Sequence, residues 1–241
     1  MKILPTVVLS ASALLASISI SSAQPWQGEW TDATTLTGAT PAWDLNASGG
    51  GSILETPNPT TVTSTGTQFA WATPTTGFDG STPTGSTIEF RMKVNSQESG
   101  KDYAGTADIF TSFETSAAGR FEFNIASDKV QFGTLGASFA LDTTVLNTYR
   151  ITILDNAASL YINDNSVATI GGQPGGSNFG VNALRIGDIS SSNSVGGATE
   201  WEYVRWTNAG TFAPIPEPAA AASLLGVIAL GSVLFIRRRR S

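Results

Sequence analysis

Two glutamates near the end of the chain have the spacing needed for acid–base chemistry on a glycosidic bond. Glu200 and Glu202 are two positions apart, and side chains alternate along a strand, so both would lie on one face. A glycoside hydrolase uses such a pair of carboxylates. The alternative is a solvated outer face of the last strand, with Trp201 and Tyr203 buried opposite it.

A polar stretch between two predicted strands, residues 96–106, is the second place where chemistry could occur. Tyr103 lies within it, with Asp102 beside it and Asp108 just beyond. Binding sites are often carried by loops of this kind. The predicted ligand-binding residues are therefore Tyr103, Asp102, Asp108, Glu200 and Glu202.

The aspartates make calcium the one metal that the chain could bind, because calcium needs only oxygen ligands. Asp79 and Asp188 lie at other predicted turns, in addition to Asp102 and Asp108. The chain contains no Asp-x-Asp-x-Asp-Gly loop, and aspartate is common in the turns of all-β proteins. We therefore predict no metal site and no cofactor, with calcium as the alternative.

The chain contains neither cysteine nor histidine. This excludes disulfides, cysteine nucleophiles, histidine-based triads and sites with thiolate or imidazole ligands. The formal net charge is −6, and removal of the basic ends would leave eight basic residues against about 18 acidic ones. Such a surface repels nucleic acid, which we exclude as a partner.

Tryptophan is abundant for one domain, and exposed aromatic rings commonly stack on the faces of sugars. We expect most of the six to be core residues, including Trp71 and Trp201, which lie within strand patterns. The tryptophans are Trp26, Trp30, Trp43, Trp71, Trp201 and Trp206.

Apolar and polar residues alternate along much of the chain, which predicts strands with one buried face. In segment 87–95 we expect Glu89 to face water, and in segment 120–127 we expect the same of Asn124. A hairpin is predicted over 159–170, with its turn at 163–166. Other predicted strands cover 68–72, 108–113, 129–133, 149–153, 184–188 and 199–207.

About a dozen short strands predict an all-β, antiparallel β-sandwich or jelly roll over residues 24–213. Segments 86–94, 149–164 and 200–206 are similar to the concanavalin A-like lectin/glucanase fold, in its laminin-G-like branch. Glucanases of that fold carry Glu-x-Asp-x-Glu along one strand. Here the third position is Val204 and the middle aspartate is replaced by Glu202, so the resemblance implies a fold and not an activity.

The N-terminus has the features of a secretion signal. Lys2 precedes an apolar run, and small residues stand at the positions that a signal peptidase reads before Gln24. We predict a signal peptide over 1–23, with a signal helix and cleavage after Ala23.

The C-terminal segment, 214–241, combines three features in order. Pro216, Glu217 and Pro218 precede an apolar stretch, 219–236, long enough for a transmembrane helix, and Arg237 to Arg240 follow on the cytoplasmic side. This closely resembles the PEP-CTERM sorting domain. The resemblance implies recognition by a membrane exosortase, transient anchoring in the inner membrane, and delivery to the cell surface, outer membrane or extracellular matrix.

These patterns predict an exported, non-catalytic protein whose sandwich binds exopolysaccharide or another surface glycan. The main alternative is a glycoside hydrolase or lyase of the same fold that uses Glu200 and Glu202. A third is an adhesive protein that recognises another protein.

Overall fold

The computed structural model describes residues 26–47, 51–55, 59–64, 70–80, 82–110, 120–132, 138–155, 157–171, 183–188 and 195–214. The regular secondary structure in these ranges consists of β-strands only. They are β1 (Gly28–Thr31), β2 (Trp43–Ala47), β3 (Ser52–Glu55), β4 (Thr60–Ser64), β5 (Ala70–Pro74), β6 (Ser86–Gln97), β7 (Gly105–Phe110), β8 (Arg120–Ile125), β9 (Lys129–Phe132), β10 (Ser138–Ala140), β11 (Asn147–Leu154), β12 (Ala157–Ile162), β13 (Asn165–Gly171), β14 (Ala183–Asp188) and β15 (Gly197–Thr207).

The strands form two antiparallel sheets. Sheet A has the order β13-β12-β11-β6-β15-β4-β3, and β1 also pairs with β15. Sheet B has the order β10-β9-β8-β7-β14-β5-β2. The prediction of an all-β protein with two antiparallel sheets is confirmed.

The alternation of apolar residues determines which side of each strand is buried. On β6 and β11, Ile88, Phe90, Tyr149, Ile151 and Ile153 are all fully buried, as a strand with one core-facing side requires. The predicted hairpin joins β12 and β13 through Asn163 and Asp164, whose φ angles are +48° and +67°. Two left-handed residues in a row suit the right-handed twist of a hairpin.

Aromatic rings fill the space between the sheets. Phe90 of sheet A lies 5.8 Å from Phe123 of sheet B, and Tyr149 lies 5.3 Å from Phe123, measured between ring centroids. Trp43 makes edge contacts with Trp30 and Trp206. One continuous hydrophobic cluster therefore holds the two sheets face to face.

Several strands differ from the sequence-based prediction. The strands β1 to β4 and β10 were not predicted; β3 and β10 have no buried residue, and β2 has one. The strands β5 and β7 were predicted two residues early and three residues late, respectively. Boundaries are the part of a strand that sequence patterns define least.

Candidate functional site

A row of polar positions crosses the outer face of sheet B. Gln131 pairs with Asn124, Asn124 with Thr106, and Thr106 with Gly187, which lies opposite Trp71. At least one neighbour of each along its strand belongs to the hydrophobic core. Side chains alternate along a strand, so the row points away from the core.

Asn124 is the most unusual member of this row, because it is outward-facing and yet 0% exposed. Its side-chain amide donates to Glu122 Oε1 at 2.8 Å, whereas its Oδ1 has no hydrogen-bond partner within the described residues. The predicted wet face is wrong at this position, because the sequence pattern gives the direction of a side chain but not what covers it. A buried acceptor without a partner is costly unless another group satisfies it.

Tyr103 reaches the same row from the loop before β7. Its hydroxyl donates to Gln131 Oε1 at 2.8 Å, and its backbone forms an isolated bridge with Val195. Burial raises the pKa of the Tyr103 phenol, and the nearby carboxylates of Asp102 and Glu122 raise it further. The structure therefore joins the predicted residue Tyr103 to Gln131 and Glu122, and the phenol remains a hydrogen-bond donor.

Trp71 lies at the other end of the row. It is half-buried on the outer face of sheet B, although the sequence pattern predicted a core residue. The Arg185 guanidinium lies 4.5 Å from the centroid of its ring, and Gly187 leaves no side chain between Thr106 and Trp71. We call the surface formed by Trp71, Arg185, Thr106, Asn124, Glu122, Gln131 and Tyr103 the Trp71 face.

The predicted aspartates have different surroundings. Asp102 is exposed beside Tyr103, and Asp108 is paired in register with Arg185 on one side and Glu122 on the other. Asp188 was predicted at a turn, but it ends β14 and is 1% exposed. In the part of the chain that the structure describes, no three acidic side chains are grouped to hold a metal ion.

Glu200 and Glu202 lie on the opposite side of the sandwich, on the outer face of sheet A. Glu200 Oε2 is 3.1 Å from Lys93 Nζ, and Glu202 Oε2 is 3.0 Å from Arg91 Nε. They are not adjacent to Tyr103 or Asp102, so the five predicted site residues belong to two separate surfaces. Each glutamate has a cation of β6 as its partner, which is the arrangement of cross-strand ion pairs.

Tyr203 of the last strand does not lie on the same face as Trp201, although the sequence pattern predicted that it would. Trp201 is fully buried as predicted, but the register shifts between Trp201 and Tyr203, so Trp201 pairs with Met92 and Tyr203 with Arg91. Such a bulge inserts one extra residue, here Glu202. Glu202 and Tyr203 consequently both lie on the outer side, and a period-two pattern does not predict this.

Next to Tyr203, a buried carboxylate organises the outer face of sheet A. Glu89 is 2% exposed, although the sequence pattern predicted a wet position. It lies between Arg150 and Arg205 in register, and their Nε atoms donate to it at 2.6 and 2.9 Å, while the Tyr203 hydroxyl donates at 2.9 Å. We call Glu89, Arg150, Arg205 and Tyr203 the Glu89 cluster.

The Glu89 cluster predicts how Tyr203 responds to alkali. Burial raises the pKa of Tyr203 to about 12, with the Glu89 carboxylate as a further cause. Because its pKa is raised, the protonated Tyr203 phenol stabilises the folded state fully below pH ~10, and this stabilisation is lost as the pH rises through about 12. We expect an ultraviolet titration to show a late tyrosinate transition that Tyr203→Phe removes; an unchanged curve for the variant would contradict the assignment.

Sequence reasoning missed Glu122, Asn124 and Gln131 as site residues. A usable signal existed for the first two, because they are the outward positions of the predicted strand 120–127. Their proximity to Tyr103 depends on strand pairing between β7, β8 and β9, which no local pattern specifies.

The predicted export signals lie outside the described residues. This applies to the signal peptide 1–23 with Ala23, to Pro216, Glu217 and Pro218, to the span 219–236 and to the arginines 237–240. Among the residues that are described, no helix is long and apolar enough to cross a membrane.

Comparison with known proteins identifies the fold. No protein-family model and no curated protein sequence matches the chain. A solved carbohydrate esterase from the Shiga toxin-encoding bacteriophage phi24B shares the fold with a TM-score of 0.51 and 12% identity, covering 74% of this chain and 98% of that one.

Two other similar structures have lower TM-scores. A native glycosidic hydrolase has a TM-score of 0.49 and 12% identity, covering 79% and 100% of the two chains. The metal-free carbohydrate recognition domain of Emp46p has a TM-score of 0.48 and 13% identity, covering 76% of this chain and 99% of that one. At such identities only the fold is shared, which is a two-layer antiparallel β-sandwich.

Proposed function

We propose that this protein is exported to the cell surface or extracellular matrix, where its laminin-G-like sandwich binds a glycan without cleaving it. The Trp71 face is the proposed binding surface. The observation that carries the proposal is the row on sheet B, in which the half-buried Trp71 indole, the Gln131 amide and the Tyr103 hydroxyl lie on one face.

The chemistry of the Trp71 face fits a sugar. The apolar faces of sugar rings stack on aromatic side chains, and their hydroxyls both donate and accept hydrogen bonds. Trp71 offers the ring, and the half-buried Tyr103 hydroxyl and Gln131 amide offer polar atoms on the same face. A few polar groups that fix orientation beside an aromatic contact are typical of small-ligand sites.

The contacts of Glu200 and Glu202 support the non-catalytic part of the proposal. A glycoside hydrolase needs two carboxyl groups that flank the scissile bond. Glu200 and Glu202 are each held by a cation of β6 instead, in ion pairs of 3.1 Å to Lys93 and 3.0 Å to Arg91. Turnover of a glycan that Glu202→Gln abolishes would instead establish the hydrolase or lyase alternative.

Retention on immobilised glycans tests the binding proposal. We expect the native protein to be retained, Trp71→Ala to be retained at least tenfold more weakly, and Trp71→Phe to keep most of the affinity because a ring remains. Glu200→Gln on the other sheet is the matched control and should bind like the native protein. Absence of retention on every glycan, including the polymers of the producing cell, would contradict the proposal.

Export has its own test, motivated by the predicted signal peptide and sorting tail. A tagged copy expressed in its native cell should be found outside the cytoplasm, with Gln24 as its first residue by mass spectrometry. An uncut protein dissolved in the cytosol would contradict export, whatever the result of the glycan experiment.

A further inference from the structure

The outer face of sheet A, away from the Trp71 face, has cavities along β11. Two cavities of about 350 and 440 Å³ lie along this strand. Thr148 and Arg150 line the first, and Thr152 and Leu154 line the second. These four residues alternate along one strand and so share one face. We call the two cavities together the β11 groove.

Aromatic rings and hydroxyl groups line both cavities, together with charged side chains. Trp26 and Tyr203 flank the first cavity, and Tyr161 and Ser159 of β12 flank the second, together with Thr211 from the segment after β15. All three rings are half-buried. Each cavity is within the size range of natural ligand sites.

The charges of the groove favour an uncharged ligand. Arg150 and Arg205 point at Glu89, which takes hydrogen bonds from both. Asp155 and Asp164 line the two cavities and are exposed. With a formal net charge of −6 on the chain, a polyanion would be repelled, whereas neutral hydroxyls can meet both guanidinium donors and carboxylate acceptors.

The spacing of the two cavities along β11 indicates a polymer. From Thr148 to Leu154 the strand extends about 20 Å at roughly 3.3 Å per residue. This length exceeds that of a single sugar ring, so a chain of several sugars would be needed to occupy both cavities.

We propose that the β11 groove is a second glycan-binding site, which takes a segment of uncharged polysaccharide. This inference rests on the proposed function, because it assumes that the Trp71 face binds glycan as well. Sheets A and B present their outer faces on opposite sides of the sandwich, so one molecule would hold two polysaccharide chains and cross-link them. Two sites also raise retention on a polymer well above that of either alone.

The test uses the full chain with dextran, laminarin and galactomannan, measuring retention on the immobilised polymer and light scattering with the soluble one. We expect Trp71→Ala and Tyr161→Ala each to weaken retention about tenfold and to abolish the rise in scattering. The double variant should lose retention, while Tyr161→Phe should behave like the native protein because the ring is kept. Trp26→Ala probes the other cavity independently and should resemble Tyr161→Ala.

The outcomes separate the two proposals. If Tyr161→Ala and Trp26→Ala match the native protein in both measurements while Trp71→Ala abolishes retention, the second site is overturned and the proposed function stands. If Trp71→Ala has no effect while Tyr161→Ala abolishes retention, glycan binding at the Trp71 face and cross-linking are both overturned. Retention of none of the three polymers would overturn the second site for uncharged polysaccharides.

Discussion

Replacing Glu89 with alanine should lower the free energy of unfolding by about 3 kcal/mol, because removing one partner of a buried ion pair leaves the other charge uncompensated. Here two guanidinium groups would lose their shared carboxylate. Their side chains are 13% and 28% exposed, so water would compensate only part of the loss. We expect a fall in Tm of about 10 °C for a domain of this size.

Glu200→Gln is the matched control for Glu89→Ala. It breaks the ion pair with Lys93 at a more exposed position of the same sheet, and exposed pairs contribute about 0–1 kcal/mol. Replacing Glu89, Arg150 and Arg205 together with apolar residues should recover stability relative to Glu89→Ala, since no buried charge would remain. Equal losses for Glu89→Ala and Glu200→Gln would show that the cluster does not stabilise the sheet.

Replacing Trp201 with alanine should cost about 4 kcal/mol, which is typical of large-to-small changes in a core. The indole is fully buried between the sheets, 5.4 Å from the ring of Phe90, and its N–H donates to Thr199 Oγ1 at 2.9 Å. The change would leave a cavity and a hydroxyl without its donor. Urea denaturation should show a lower midpoint with an unchanged slope.

Trp71→Ala is the matched control for Trp201→Ala, because it removes the same ring from the outer face of sheet B. We expect it to cost about 1 kcal/mol or less, as surface substitutions usually do, while weakening glycan retention. The two variants thus separate a ring that stabilises the fold from one that is available to a ligand. Equal destabilisation by both would place Trp71 in the core.

Alternation in the sequence predicted the strands whose inner faces form the core, such as β6, β8, β11 and β12. This is possible because a half-buried strand must alternate apolar and polar residues. The edge strands β2 and β3 were not predictable in this way. Their burial patterns do not alternate cleanly between core and solvent, and their positions depend on partners that are distant in sequence.

The candidate sites were predictable only in part. The polar loop led to the prediction of Tyr103, but its partners Gln131 and Glu122 come from strands that pairing brings near. Glu89 and Asn124 were correctly placed on outer faces and wrongly expected to be wet, because alternation does not encode what covers a face. Tyr203 was placed on the wrong side because the bulge at Glu202 depends on pairing with β6.

The most direct test of glycan binding at the Trp71 face is an NMR titration of the indole N–H signals with an oligosaccharide that the native protein retains. The chain has six tryptophans, and substitution assigns the signal of Trp71. We predict that this signal shifts with saturation, whereas those of the buried Trp30, Trp43, Trp201 and Trp206 stay in place. A Trp71 signal that does not move at saturating oligosaccharide would contradict the account.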